Sequence, residues 1–154
     1  MRVRRAARRL ALDILYEAEI RDLLPLEAWA VRSDEGWVIA AAEEMEAGEE
    51  QPERPPEEAL GYGHVLVEGV QAHQADLDAL IVRYADRWAI ERMPVIDRNV
   101  LRMALFELLW RRDVPVAVVI NEAVELAKAL STDDSGRFVN GLLGRIADQE
   151  LPPS

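Results

Sequence analysis

The stretch Pro94–Ile146, PVIDRNVLRMALFELLWRRDVPVAVVINEAVELAKALSTDDSGRFVNGLLGRI, constrains this chain more than any other. It holds three helical patterns joined by two short breaks. From Val100 to Trp110 every residue except Arg102 and Glu107 is apolar. A helix apolar nearly all round must be buried on most sides, so this run is expected to be the central post of a helical domain. Asp113-Val114-Pro115 interrupts the pattern, and proline suits a helix start because its missing N–H would have no partner there. Val116, Val119, Ile120, Ala123, Val124, Ala127 and Leu130 then recur at three- and four-residue steps, with Asn121, Glu122, Glu125 and Lys128 on the opposite face, which predicts an amphipathic helix. The polar break Ser131-Thr132-Asp133-Asp134-Ser135 offers several N-caps before a third stripe, Phe138, Val139, Leu142, Leu143 and Ile146. Leu101, Leu105, Leu108 and Ile120 are the expected core.

At the other end, Val3, Ala6, Ala7, Leu10, Ala11, Ile14, Leu15 and Ala18 form an uninterrupted helical stripe, predicting a helix over about residues 3–22. Arg2, Arg4, Arg5, Arg8 and Arg9 gather on an adjoining arc, with Leu12 and Tyr16 in line further along. Positive charge at a helix N-terminus is disfavoured by the dipole, on the order of several tenths of a kcal/mol per residue, so something should compensate these arginines. A tyrosine in line with them could stack on a base or pack on a protein partner. A solvated basic face, with Tyr16 covering a core edge, fits the same pattern.

Pro25 should end that helix, with Leu26–Val31 adding a turn or two. Over about residues 33–58 the chain holds ten acids and one arginine, a local balance of −9 out of the net −11, and it closes on Pro52, Pro55 and Pro56. Such a segment buries too little to order itself, so it reads as a mobile acidic insertion with a short helix over Ile39–Met45. It is either a plain solvated loop or a competitor for the arginines. Order resumes at Glu57. Tyr62, Leu66, Val70 and His73 share a helical line, and Gly61, Gly63 and Gly69 suggest close backbone packing, since each costs a helix about 1 kcal/mol relative to alanine. Asp76 suits the N-cap of a further helix carrying Leu77, Leu80, Ile81, Tyr84, Ala85 and Trp88, ended by Pro94. One basic helix, an acidic insertion and five further helices, with no strand, make an all-α bundle.

With 154 residues, half of them apolar, the chain is expected to be one domain over 1–154. Having no cysteine it can form no thiolate metal site, and His64 and His73 stand nine apart, not the four that pairs ligands on a helix face, so no metal ligand is expected. There is no secretory-type hydrophobic region and no run long enough to span a bilayer, which suggests a cytoplasmic protein without a membrane partner. No Walker loop, G-x-S-x-G or H-E-x-x-H is present, and Asn121-Glu122 reads better as local backbone capping than as a site. Neither catalysis nor a cofactor is expected.

IDRNVLRMALFEL, DVPVAVVINEAVELAKAL and DDSGRFVNGLLGRI, taken in order with RRAARRLALDILYEAE and GHVLVEGVQAHQADLDALI, resemble the transcription antitermination factor NusB family over nearly everything except Leu26–Glu58. The resemblance implies a NusB-like bundle of about six to seven helices in two small subdomains. It also implies pairing with the ribosomal protein NusE, binding of the pair to boxA in nascent RNA, and service to the RNA polymerase antitermination complex, especially on ribosomal RNA operons. By motif position, Arg4, Arg5 and Arg8 match the family's RNA-binding segment. Arg9 joins them where the family more often has an acid. Asp134, Arg137 and Phe138 match residues at or near the RNA surface, and Tyr16 and Asp97 match the NusE-facing surface. Taken alone, Phe138 reads as core and Asp97 as an N-cap. Gly136 is expected to loosen the start of the last helix. Two alternatives stay open: a protein-only module of the same fold, self-associating through that surface, and an accessory domain detached from an RNA cytosine methyltransferase. The free chain is expected as a monomer or homodimer.

Overall fold

The computed structural model describes residues 2–37, 54–86 and 88–152, and among these there are helices and no strand. Two compact units emerge, Met1–Val67 and Glu68–Ser154. The first contains α1 (Arg2–Arg21), α2 (Pro25–Asp34) and the opening turns of α3 (Glu57–Tyr84). The second contains the rest of α3, a 3-10 turn (Ile90–Arg92), α4 (Val95–Trp110), α5 (Val116–Leu130) and α6 (Asp133–Glu150).

In the first unit, the α1 stripe is buried at Ala7, Leu10, Ala11, Ile14, Leu15 and Ala18, while Ala6 is exposed. Leu12, expected on the arginine arc, is fully buried, and Arg8 is 4% exposed, so the covered face of α1 is wider than the stripe and takes in both. α1 packs on α2. Its chain turns out through Asp22 at φ 57°, and Pro25 opens α2, where the Leu24 N–H donates to Glu27 Oε1 at 3.0 Å. Across the helices the buried Arg32 donates through Nε to Glu17 Oε2 at 3.1 Å. The acidic insertion starts later than expected: Ser33 and Asp34 complete α2, and Trp37 is buried with its ring edge-on to Trp29 at 4.8 Å. Glu57 and Glu58 already belong to α3. The short helix expected over 39–45, and the acidic run from 38 to 53, lie outside the described residues.

In the second unit α4 packs on α5 and α6, which pack on each other. Every residue from Leu101 to Leu108 is buried, including both polar exceptions. Arg102 is satisfied by a bidentate pair with Asp78 of α3, at 2.7 Å from Nε and 3.1 Å from Nη2, and by Asn99 Oδ1 at 3.2 Å. The buried post is therefore tied to α3 by a paired charge. Ile120 is half-buried, and the face of α5 that reaches the core runs instead through Val119, Ala123 and Ala127.

α3 is one helix of 28 residues rather than two. Asp76 lies inside it and caps nothing; the helix stops at Tyr84, where Asp86 takes a left-handed φ of 59°. Trp88, expected on the helix, stands in the connection beyond it. Of the α3 glycines, Gly69 faces a close approach: an added Cβ would lie 2.2 Å from the Phe106 ring. Gly61 is exposed with nothing near its Cβ position, so close packing does not account for it.

Candidate functional site

The residues singled out by sequence fall into two groups, one on each unit. In the first, the α1 arginines have different surroundings. Arg4 is half-buried with its guanidinium 4.6 Å from the Tyr62 ring centroid, a cation–π contact that offsets part of the dipole penalty. Arg5 is exposed. Arg8 is buried, so it is not displayed for a phosphate as the wheel suggested. Arg9 pairs with Asp13 one turn on, Nε to Oδ1 at 3.5 Å, a local anion of the kind the basic helix start calls for. Burial raises the Asp13 carboxyl above the usual aspartate value against the opposing pull of Arg9 and Arg32. Tyr16 is 41% exposed, and Ile20, one turn along α1, and Leu24 beyond it are exposed too. Three large apolar side chains thus leave this end of α1 uncovered.

In the second unit the break before α6 is built around one serine. Thr132 is the N-cap, its Oγ1 accepting the Ser135 N–H at 2.9 Å. The Ser135 hydroxyl donates to Asp97 Oδ2 at 2.7 Å, and Ser131 Oγ lies 3.1 Å from it. Asp97 is 1% exposed, so it is neither an N-cap nor part of a partner-facing surface: it stands in the first turn of α4, points inward and holds the start of α6. Gly136 does not loosen the helix. It is buried in the first turn, and its missing side chain makes room for the Lys128 stem, whose Cγ would lie 2.4 Å from an added Cβ. Asp134 and Arg137 are exposed and paired with each other one turn apart.

Phe138 is half-buried, packed edge-to-face on Trp88 with ring centroids 4.8 Å apart and planes at 74°. It is thus partly core and partly surface. α6 also fixes the connection that carries Trp88. Arg145 donates to the Tyr84 carbonyl and to Asp86 Oδ2, the latter at 3.2 Å, and the Tyr84 hydroxyl donates to Glu150 Oε1 at 2.6 Å. That hydrogen bond raises the phenol above the ordinary tyrosine value. A groove of about 260 Å³ between Tyr84–Asp86 and α6 is lined by Arg137, Phe138, Gly141 and Arg145. No cluster of three or more acidic or histidine side chains suited to a metal occurs among the described residues. His64 and His73 instead pack on Trp29 and Trp110.

The NusB family model matches residues 5–148. The transcription antitermination protein NusB of Salinispora arenicola is 48% identical over 148 residues, covering 96% of this chain and 97% of the relative. That of Saccharopolyspora erythraea is 49% identical over 150 residues, covering 96% and 88%.

The chain belongs to the NusB family.

Solved NusB structures share the fold. T. maritima NusB superposes with a TM-score of 0.75 at 33% identity, over 97% of this chain and 93% of that one. A chain from the crystal structure of antitermination factors NusB and NusE in complex with dsRNA gives 0.75 at 26% identity, over 96% and 98%. Within this NusB-family chain, Asp134, Arg137 and Phe138 come together at the start of α6, and the arginines and Tyr16 lie along α1. Sequence reasoning missed Ser135 and Trp88. Ser135 was one of several polar residues in a break, and Trp88 continued the α3 period past a turn that no glycine or proline announces.

Proposed function

We propose that this chain is a cytoplasmic, non-catalytic RNA-binding transcription antitermination factor. It pairs with NusE, and the pair binds boxA in nascent RNA within the RNA polymerase antitermination complex, promoting processive transcription of ribosomal RNA operons. The observation that carries the proposal is membership of a family whose relatives, about half identical over nearly the whole chain, are transcription antitermination proteins. The likeness to a NusB chain crystallised with NusE and RNA supports both partners. No helix among the described residues is long and apolar enough to cross a membrane.

The local chemistry fits the division of labour this reading requires. Arg5 on α1 and Arg137 on α6 are exposed cations suited to the salt-dependent phosphate contacts, with Arg4 and Arg9 supporting α1. The open part of Phe138 can take an unstacked base, as single-stranded RNA is commonly read. Tyr16, Ile20 and Leu24 are large exposed apolar side chains suited to a protein partner, and in this reading that partner is NusE. The test is a titration of labelled single-stranded boxA RNA with and without purified NusE. NusE is expected to raise the affinity, and Tyr16→Ala with Ile20→Ala to abolish that gain while leaving RNA binding by the chain alone unchanged. RNA binding indifferent to NusE would overturn the pairing, and no RNA binding under either condition would overturn the function.

A further inference from the structure

We propose that Trp88 is a second RNA-contacting residue, forming with Phe138 a two-walled aromatic cleft that holds one unpaired nucleobase. The inference rests on the RNA-binding reading above and adds a residue that reading does not contain. Trp88 is 41% exposed, and its ring stands at 74° to that of Phe138 with centroids 4.8 Å apart. Two aromatic rings set nearly at right angles make an L-shaped recess. A flat base can stack on one ring while its edge meets the other. An open groove of about 710 Å³ lies at this recess, lined by Ala85, Asp86, Trp88 and Phe138.

The recess is held in place from several sides. The Trp88 backbone N–H donates to the Ala85 carbonyl at 3.2 Å, and Arg145 grips both Asp86 and the Tyr84 carbonyl, so the indole is carried on a pinned turn. The rim suits a nucleotide better than an apolar peptide. Arg137 and Arg145 stand beside Phe138, and their acidic partners Asp134 and Asp86 are mostly exposed, with side-chain accessibilities of 84% and 72%. Exposed pairs of this kind contribute little, so the Arg137 guanidinium can turn to a phosphate at small cost, while Arg145 stays on the turn it holds. The Asp86 carboxylate at the wall disfavours a phosphate in the recess itself and can accept from an exocyclic amino group, as on cytosine.

The test uses the full chain with labelled single-stranded boxA RNA and a set of RNAs each lacking one base. Trp88→Leu is expected to weaken binding roughly ten- to a hundredfold, the usual loss of one base stack, and Trp88→Phe to remain within about threefold of wild type. Removing one particular base should weaken wild type and leave Trp88→Leu little changed, because the two losses are the same contact. Tryptophan fluorescence of wild type should be quenched by the RNA, and that quenching should be reduced in Trp88→Phe. If Trp88→Leu binds like wild type, or its loss is the same for every base-deleted RNA, the cleft is refuted while the RNA-binding function stands. If Trp88→Leu does not fold, wild type losing no affinity on deletion of any single base refutes it equally. If wild type binds none of these RNAs, the functional reading itself fails.

Discussion

The Ser135 hydroxyl donates to Asp97 while its backbone N–H donates to Thr132, so one small residue ties the first turn of α6 both to its own cap and to α4. The other Asp97 oxygen is buried without a hydrogen-bond partner, which makes the carboxylate dependent on the serine. Ser135→Ala should therefore destabilise the protein by about 1–3 kcal/mol, the cost of leaving a buried polar group unmade. Adding Asp97→Leu should return part of that loss, because removing both partners removes the unmet demand. Urea melts of the three variants measure this, and a Ser135→Ala melt equal to wild type would show the contact to be idle. The sequence could not assign Asp97 its role. A carboxylate near a helix start fits an N-cap, a partner contact or a buried clasp equally well, and which one forms depends on what α6 brings to it. Arg8 has the same ambiguity: a wheel groups it with the other arginines, and only the packing covers it.

Helix existence was legible because periodicity is repeated over many residues, whereas helix ends depend on a single conformation. α4, α5 and α6 occur where the three stripes of Pro94–Ile146 required, and Thr132 caps α6 from within the predicted polar break. The first half of the chain was harder. The expected pair of helices from Glu57 onward is one, since an aspartate at position 76 costs a helix interior only a few tenths of a kcal/mol and offers a cap without demanding one. α3 ends through Asp86, and aspartate enters the left-handed region without the glycine that would have signalled it. The number of helices after α1 still comes to five among the described residues, because α2 replaces the one lost in the fusion. At Gly69 the element-level reasoning makes a direct prediction. A methyl there would meet the Phe106 ring, so Gly69→Ala should cost about 1–3 kcal/mol despite alanine's better helix propensity, and Phe106→Leu in the same chain should recover much of it. Thermal melts of the single and double variants distinguish this from a simple propensity gain.

Across the whole molecule, the proposed roles of charge and aromatic surface are separable by experiment. The net −11 conceals a basic start to α1 because nearly all of the excess lies between residues 33 and 58. If Arg5 neutralises a phosphate, Arg5→Ala should flatten the dependence of log affinity on log salt by about one unit. Phe138→Leu should lower affinity by a similar factor at every salt concentration, leaving the slope as it was, because stacking releases no counterions. Titrations at two ionic strengths separate the two, and equal slopes for wild type and Arg5→Ala would remove Arg5 from the interface. α3 also limits how this chain can be divided. Its 28 residues extend about 42 Å, and the boundary between the compact units, after Val67, falls inside it with no loop to cut. A truncation there would expose four unsatisfied carbonyls on one fragment and four unsatisfied N–H groups on the other. A chimera joined at that boundary must therefore keep α3 unbroken.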